Sequence, residues 1–273
     1  MHYGVMHGAG NSFVLIGEPH GAIQGEDLPD LALRLCARFG TDGLIALGPG
    51  AEGADIGMLF YNADGSLGEM CGNGARCLAR WGVEHGLAPD PEDIRIRATA
   101  GLVHARRVTR EDYEVRLNDP SVVELSREVP LPGGTVRCAY VELGDPGIPH
   151  AVTEVAPEAF DDLGALRERG RALRHSPVFP RGANVSFVCL TGERSVRAIT
   201  FERGVEDFTL ACGTGCGAVA LSLILSGRIP DGPVEIDMPG GHLRVTLRRT
   251  GGTAADILLT GPTALVEEGE LPL

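Results

Sequence analysis

Residues 217–226, GAVALSLILS, spell a helical run with apolar side chains on nearly every face, stopped by Gly227. A helix without a polar face has nothing to offer water, so it must be surrounded and run through the middle of a domain. The rest of the chain is therefore expected to wrap around it, and much of the rest reads as strand. IRIRA (94–98), YEVRL (113–117), CAYVEL (138–143), VSFVCL (185–190), VRAITF (196–201) and HLRVTL (242–247) alternate or are rich in β-branched residues, with Gly, Pro and Asp clusters between them. Helical stretches are fewer. DLALRLCARF (30–39) is amphipathic and stops at Gly40, and PEAFDDLGALRERGRAL (157–173) opens on a proline suited to a first helical turn. A further candidate, ARCLARWGVEHG (75–86), is more mixed but carries Cys77, Leu78 and Trp81 on one side.

The two inner helices share a preface. GEMCGNGARC (68–77) and LACGTGCGAVA (210–220) each place a cysteine directly before a glycine-rich helix start, with Cys71 and Cys212 separated by 141 positions. In each half the order is strands, a cysteine–glycine loop, a central helix, then more strands. That order reads as a weak internal duplication. The 273 residues suffice for two modest domains, and two α+β domains of like architecture are expected, with the cleft between them receiving both loops.

The loops suggest chemistry. The first backbone N–H groups of a helix lack intrahelical partners and the helix dipole is positive there, so a cysteine in that place tends toward a usable thiolate. The N–H groups of Gly72, Asn73, Gly213 and Thr214 would form two anion-binding nests suited to a carboxylate. Two thiols flanking a bound carboxylate fit one reaction type. One, as thiolate, removes the α-proton; the other, as thiol, protonates the opposite face, and the stereocentre inverts without a cofactor. A zinc site from Cys71, Cys77, Cys212 and Cys216 is the rival, but the spacings of six and four contain no C-x-x-C pair, so no metal is expected. A redox disulfide between Cys71 and Cys212 is the other, and it would leave the glycine nests without a role.

The formal net charge of −13 argues against nucleic acid or an anionic membrane as partner, which leaves a small molecule. No stretch approaches the roughly 20 apolar residues of a membrane span. The start, MHYGVMHGAGNSF, lacks the basic and apolar regions of a signal peptide, and seven cysteines are an odd number. Reduced thiols and a cytoplasmic location are expected. The assembly is compatible with a homodimer.

With these residues in view, the chain resembles the diaminopimelate epimerases over essentially its whole length. The resemblance rests on MHGAGNSF (6–13), FYNADGSLGEMCGNGARC (60–77), Pro149–His150, ANVSF (183–187) and FERGVEDFTLACGTG (201–215). It implies two pseudo-symmetric domains, each a β-barrel-like sheet around a central helix: residues 1–118 plus 261–273 carrying Cys71, and residues 119–260 carrying Cys212. It implies Cys71 and Cys212 as the acid–base pair, with Gly72, Asn73, Gly213 and Thr214 holding the reacting carboxylate. Asn11, Asn62, Asn184, Glu202 and Arg203 match positions that surround the substrate's amino groups and distal carboxylate in that family. The chain departs from the family where Asp42-Gly43 replaces Asp-Gln, Ile148-Pro149-His150 replaces Asn-Pro-His, Ser12 replaces Asp, and Phe208 stands where Glu is common. The implied reaction is the interconversion of LL- and meso-diaminopimelate. Gly43 and Ile148 favour instead a racemase of another amino acid, such as histidine or ornithine.

Overall fold

Both enclosed helices are present in the computed structural model, which describes residues 1–17, 27–50, 53–68 and 70–271. The chain divides into two units, Met1–Arg116 with Thr260–Leu273, and Leu117–Leu259. The first unit runs β1 (His2–Gly8), β2 (Asn11–Ile16), α1 (Leu28–Phe39), β3 (Gly43–Pro49), β4 (Ile56–Asn62), β5 (Leu67–Gly68), α2 (Gly72–Glu84), β6 (Ile94–Ala98), β7 (Gly101–Arg107) and β8 (Asp112–Arg116). The second runs β9 (Pro120–Leu131), β10 (Gly134–Gly144), β11 (Gly147–Glu154), α3 (Leu163–Arg174), β12 (Asn184–Leu190), β13 (Ser195–Phe201), β14 (Phe208–Thr209), α4 (Gly213–Leu225), β15 (Val234–Met238) and β16 (Gly241–Thr250). Strand β17 (Thr253–Pro262) carries the chain across the boundary, and β18 (Ala264–Glu270) closes the first unit on β1.

The duplication is written in the pairing. In the first unit β1 and β2 form a hairpin, and β2 and β3 run parallel with α1 as crossover. Next β3 pairs antiparallel with β4, and β4 antiparallel with β5 and parallel with β6, across α2. The second unit repeats each step with β10, β11, β12, β13, β14 and β15, using α3 and α4 as its crossovers. Parallel neighbours require such long connections, so each helix is where the sheet order needs one. The registers then give residue equivalences. Phe13 opposite Gly43 opens the first parallel pair, and His150 opposite Asn184 opens the second. Gly43 faces Asn62; one step beyond Val185 opposite Phe201, Glu202 takes the matching place.

Each sheet encloses its helix. α2 packs on β1, β2, β4, β6, β7 and β8, and α4 on β9, β10, β11, β12 and β16. In α4 every residue from Gly215 to Leu225 is buried, as a helix apolar all round demands. Close approach is set by glycine. A Cβ on Gly4 of β1 would lie 2.0 Å from the Trp81 ring of α2, and one on Gly217 of α4 would lie 2.8 Å from Leu117. Among the described residues no helix is long and apolar enough to cross a membrane.

One expected helix is broken. Over 157–173 the chain makes a 3₁₀ turn at Pro157–Asp161 and starts α3 only at Leu163. Asp162 is the cause: its carboxylate accepts from the Ala165 N–H at 2.9 Å, capping a new helix rather than continuing the old one. Helices α2 and α4 also begin earlier than expected, directly after their cysteines.

Candidate active site

Cys71 and Cys212 are the N-cap residues of α2 and α4, with extended backbone angles (φ −131°, ψ 115° and φ −122°, ψ 106°). Neither side chain makes a capping hydrogen bond, although this is the position where a polar side chain ordinarily does. The helices close on the cysteine carbonyls instead, through Ala75 N to Cys71 O at 2.8 Å and Cys216 N to Cys212 O at 2.9 Å. The N–H groups of Gly72, Asn73, Gly213 and Thr214 therefore precede the first intrahelical bond and point out of the helix end. Gly72, Gly213 and Thr214 are partly exposed there.

In the first unit a buried relay orders the polar groups. Arg76 Nη2 donates to Asn73 Oδ1 at 2.9 Å, which obliges the other end of that amide to be the donor. Asn73 Nδ2 duly donates to Asn11 Oδ1 at 2.6 Å, leaving the Asn11 NH₂ to present donors. Asn62 stands apart from this group. Its Nδ2 donates to Ser66 Oγ at 2.9 Å, tying the exposed turn after β4. Gly43 is not an empty place: a Cβ there would lie 2.5 Å from Phe60 Cε2 and 2.8 Å from the Tyr61 carbonyl. The Phe60 ring fills that space, so no side chain fits while it stays.

The second unit surrounds its cysteine differently. Thr209 Oγ1 donates to Glu202 Oε1 at 2.6 Å, and the Cys212 thiol, 3.8 Å from Thr214 Oγ1, lies within reach of the Glu202 charge. Burial pushes the Glu202 carboxyl up, opposed by the Thr209 hydroxyl and the Cys212 thiol beside it. Burial also pushes the Cys212 thiol well up, and the Glu202 charge adds to it against the Gly215 N–H and the Thr214 hydroxyl. This corrects the expectation that a cysteine at a helix N-terminus has an acidic thiol. The dipole acts here, but desolvation and a neighbouring carboxylate outweigh it. A Cβ on Gly215 would lie 3.1 Å from Cys212 Sγ and 3.2 Å from Thr200 Oγ1, so the glycine leaves the thiol room.

Asn184 Oδ1 accepts from the Arg203 backbone N–H at 2.8 Å, and the exposed Arg203 guanidinium donates from Nη1 to the Arg181 carbonyl at 3.1 Å. Ile148 and Pro149 precede His150 as Asn11 and Ser12 precede Phe13, so Ile148 holds the place that Asn11 holds in the first unit. Glu202, read from the sequence as a partner for a substrate ammonium, lies close enough to Cys212 for its charge to act on the thiol.

His150 is the residue that sequence reasoning passed over, noted only as part of a Pro–His pair. It is fully buried, and among the described residues neither ring nitrogen has a hydrogen-bond partner. Burial first, then the Arg203 charge, pushes its pKa down to about 3. The only signal was its register: it faces Asn184 where Phe13 faces Gly43, so a polar ring sits in a place shaped for an apolar one.

The depressed pKa has a measurable consequence. The unfolded chain takes up this proton near pH 6.5 and the folded chain does not, so the contribution is intact above that pH and is lost as pH falls toward 3. The slope is about 1.4 kcal/mol per pH unit, or about 2 kcal/mol by pH 5. Denaturant unfolding of the His150→Phe variant between pH 5 and 7.5 should show a correspondingly flatter dependence. An unchanged slope would mean that the imidazole is not held neutral.

Comparison with known proteins is consistent in direction. A family model described as diaminopimelate epimerase matches residues 3–123 and 144–266. The diaminopimelate epimerase of Moorella thermoacetica is 32% identical, with all of both chains covered. That of Chlorobaculum tepidum is 35% identical, over 98% of this chain and 100% of its own. Among solved structures, a phenazine biosynthesis protein of the PhzF family from Bacillus anthracis superposes with TM-score 0.74 at 14% identity, covering 100% and 98%. A probable proline racemase from Agrobacterium radiobacter superposes with TM-score 0.70 at 18% identity, covering 100% and 93%. At such identities the structural likeness establishes the shared two-repeat fold.

Proposed function

The chain belongs to the diaminopimelate epimerase family, and from that premise we propose that it interconverts LL- and meso-diaminopimelate with Cys71 and Cys212 as its two proton-transfer groups. The observation that carries the pair is their equivalence: each thiol is the uncapped N-cap residue of the enclosed helix of its unit. No cofactor is required. One cysteine, as thiolate, takes the α-proton, and the other, as thiol, delivers a proton to the opposite face of the carbanion. The N–H groups at the starts of α2 and α4 hold the α-carboxylate and stabilise the charge that spreads onto it. Glu202, whose charge acts on the Cys212 thiol, accepts that thiol's proton when Cys212 has to act as base. Asn11 and Asn73, Asn184 and Arg203 supply the polar groups for the rest of the substrate, with Asn62 reaching it only if it gives up Ser66. The seven free cysteines suit a reducing compartment, and we place the enzyme in the cytoplasm.

A second substrate is favoured by one observation. Phe60 fills the place of a side chain at Gly43, and Ile148 is partly exposed where the other unit has Asn11. Both changes remove hydrogen-bonding partners, which alters selectivity more than mechanism. Histidine or a basic amino acid such as ornithine then competes with diaminopimelate. Incubation in D₂O with LL-diaminopimelate, L-histidine and L-ornithine, followed by mass and chirality, separates the readings. Exchange and inversion with diaminopimelate are expected. Exchange with another of the three and none with diaminopimelate would transfer the mechanism to that substrate.

A further inference from the structure

Away from the cysteines, at the other end of α2, two histidines converge on one carboxylate oxygen within the first unit. His2 Nε2 lies 2.9 Å and His85 Nε2 2.8 Å from the same Glu268 Oε1. His2 comes from β1, His85 caps the C-terminus of α2, and Glu268 comes from β18, so three elements distant in sequence meet there.

The far side of each ring decides what this convergence means. His85 Nδ1 lies 2.8 Å from the Trp81 main-chain carbonyl. A carbonyl only accepts, so Nδ1 carries a proton, and Nε2 is the nitrogen left for a ligand. His2 Nδ1 lies 3.1 Å from Glu270 Oε1, which likewise leaves Nε2 as the nitrogen turned toward Glu268. The Nε2 atoms of both rings and the Glu268 oxygen thus face one another, and each is an atom that a metal ion can draw on. Protons on the rings give ion pairs with Glu268, and a metal ion would take the place of those protons. A single divalent ion satisfies all three atoms at once.

We propose that His2, His85 and Glu268 form a binding site for a divalent transition-metal ion of the zinc class. The three ligand atoms lie within 4.8 Å of one another, close enough for one ion to draw in. Two imidazole nitrogens and a carboxylate are a donor set that such ions favour. The outer shell is already in place: a main-chain carbonyl behind one histidine and the Glu270 carboxylate behind the other, the arrangement that orients metal-bound histidines. The Trp81 ring stacks on His85 at 4.0 Å and limits how it turns. Glu268 lies at the solvent edge, where water completes the coordination. Across a 13-residue helix, about 20 Å separates this site from Cys71, so the ion is structural: it pins β18 and β1 to the end of the helix that carries the cysteine.

The test uses the full chain, stripped with chelator and kept reduced, titrated with Co²⁺ by absorption and with Zn²⁺ by equilibrium dialysis. One ion per chain is expected, with visible bands of a nitrogen–oxygen site and no thiolate charge-transfer band. His2→Ala and His85→Gln should each weaken binding at least tenfold, and Glu270→Gln, behind the ligand, by about tenfold. Melting in chelator reports whether each variant folds. Were either histidine variant to fail, Glu268→Gln, at the exposed edge, gives the same reading. No binding by about 100 µM metal, a thiolate band, or wild-type affinity in a folded His2 or Glu268 variant would overturn the site.

Discussion

Cys71→Ala and Cys212→Ala should each lose inversion by at least ~10²–10⁴-fold, the range for removing a positioned proton-transfer group, yet each should keep half of a simpler reaction. With Cys212 gone, Cys71 can still withdraw the α-proton of the stereoisomer that presents it, and solvent deuterium can return from the same side. That isomer would take up label without inverting, and the other would do neither. Cys71→Ala should show the complementary preference. The signature is a pair of opposite exchange patterns in D₂O, read by mass and by chiral separation. A general loss of structure would abolish exchange of both isomers together. Full inversion in either variant would remove its thiol from the mechanism.

The parts of this fold legible in the sequence are those where one local rule acts without competition. The α4 run had no polar face, so enclosure was forced, and Gly215 to Leu225 are all buried. IRIRA alternates and is buried in alternation, Ile94, Ile96 and Ala98 inward. Strands such as NSFVLI in β2 and GLIALGP in β3 carry no such mark, because they are buried along almost their whole length. Without alternation their period is invisible, and a short apolar run is equally a helix fragment. The repeat was visible as an order of elements, but residue equivalences such as Asn62 with Glu202 needed the strand registers.

The chemistry divides along the same line. Helix-start cysteines followed by glycines can be read from a sequence because geometry and dipole are local. What tunes Cys212 is not local. Glu202 lies ten positions earlier and reaches the thiol only because β14 and the following loop bring the chain back beside β13. His150 was silent for the same reason, since its lack of partners is a property of burial among strands. Gly43 was read as a lost polar side chain, yet its meaning lies in Phe60, seventeen residues on, whose ring takes the space.

Glu202→Gln is the substitution that sets the two influences on Cys212 against each other. The carboxylate raises the thiol's pKa by its charge, after burial, and it is also the group able to receive the thiol's proton. Removing the charge should make Cys212 easier to ionise and faster to alkylate at mildly alkaline pH. Catalysis should nevertheless fall, by about 10²–10⁴-fold, because the proton acceptor is gone. The substrate equilibrium is untouched, so kcat/KM must fall by the same factor in both directions, whichever isomer uses Cys212 as base. Partial unfolding would also bare the buried Cys212 thiol and slow the bulk enzyme, so the variant's melting curve is recorded and must match the wild type's for this reading to stand. Active-site titration by alkylation therefore accompanies the kinetics. Unchanged turnover per reactive thiol would assign Glu202 to substrate binding and leave Cys212 to act unaided.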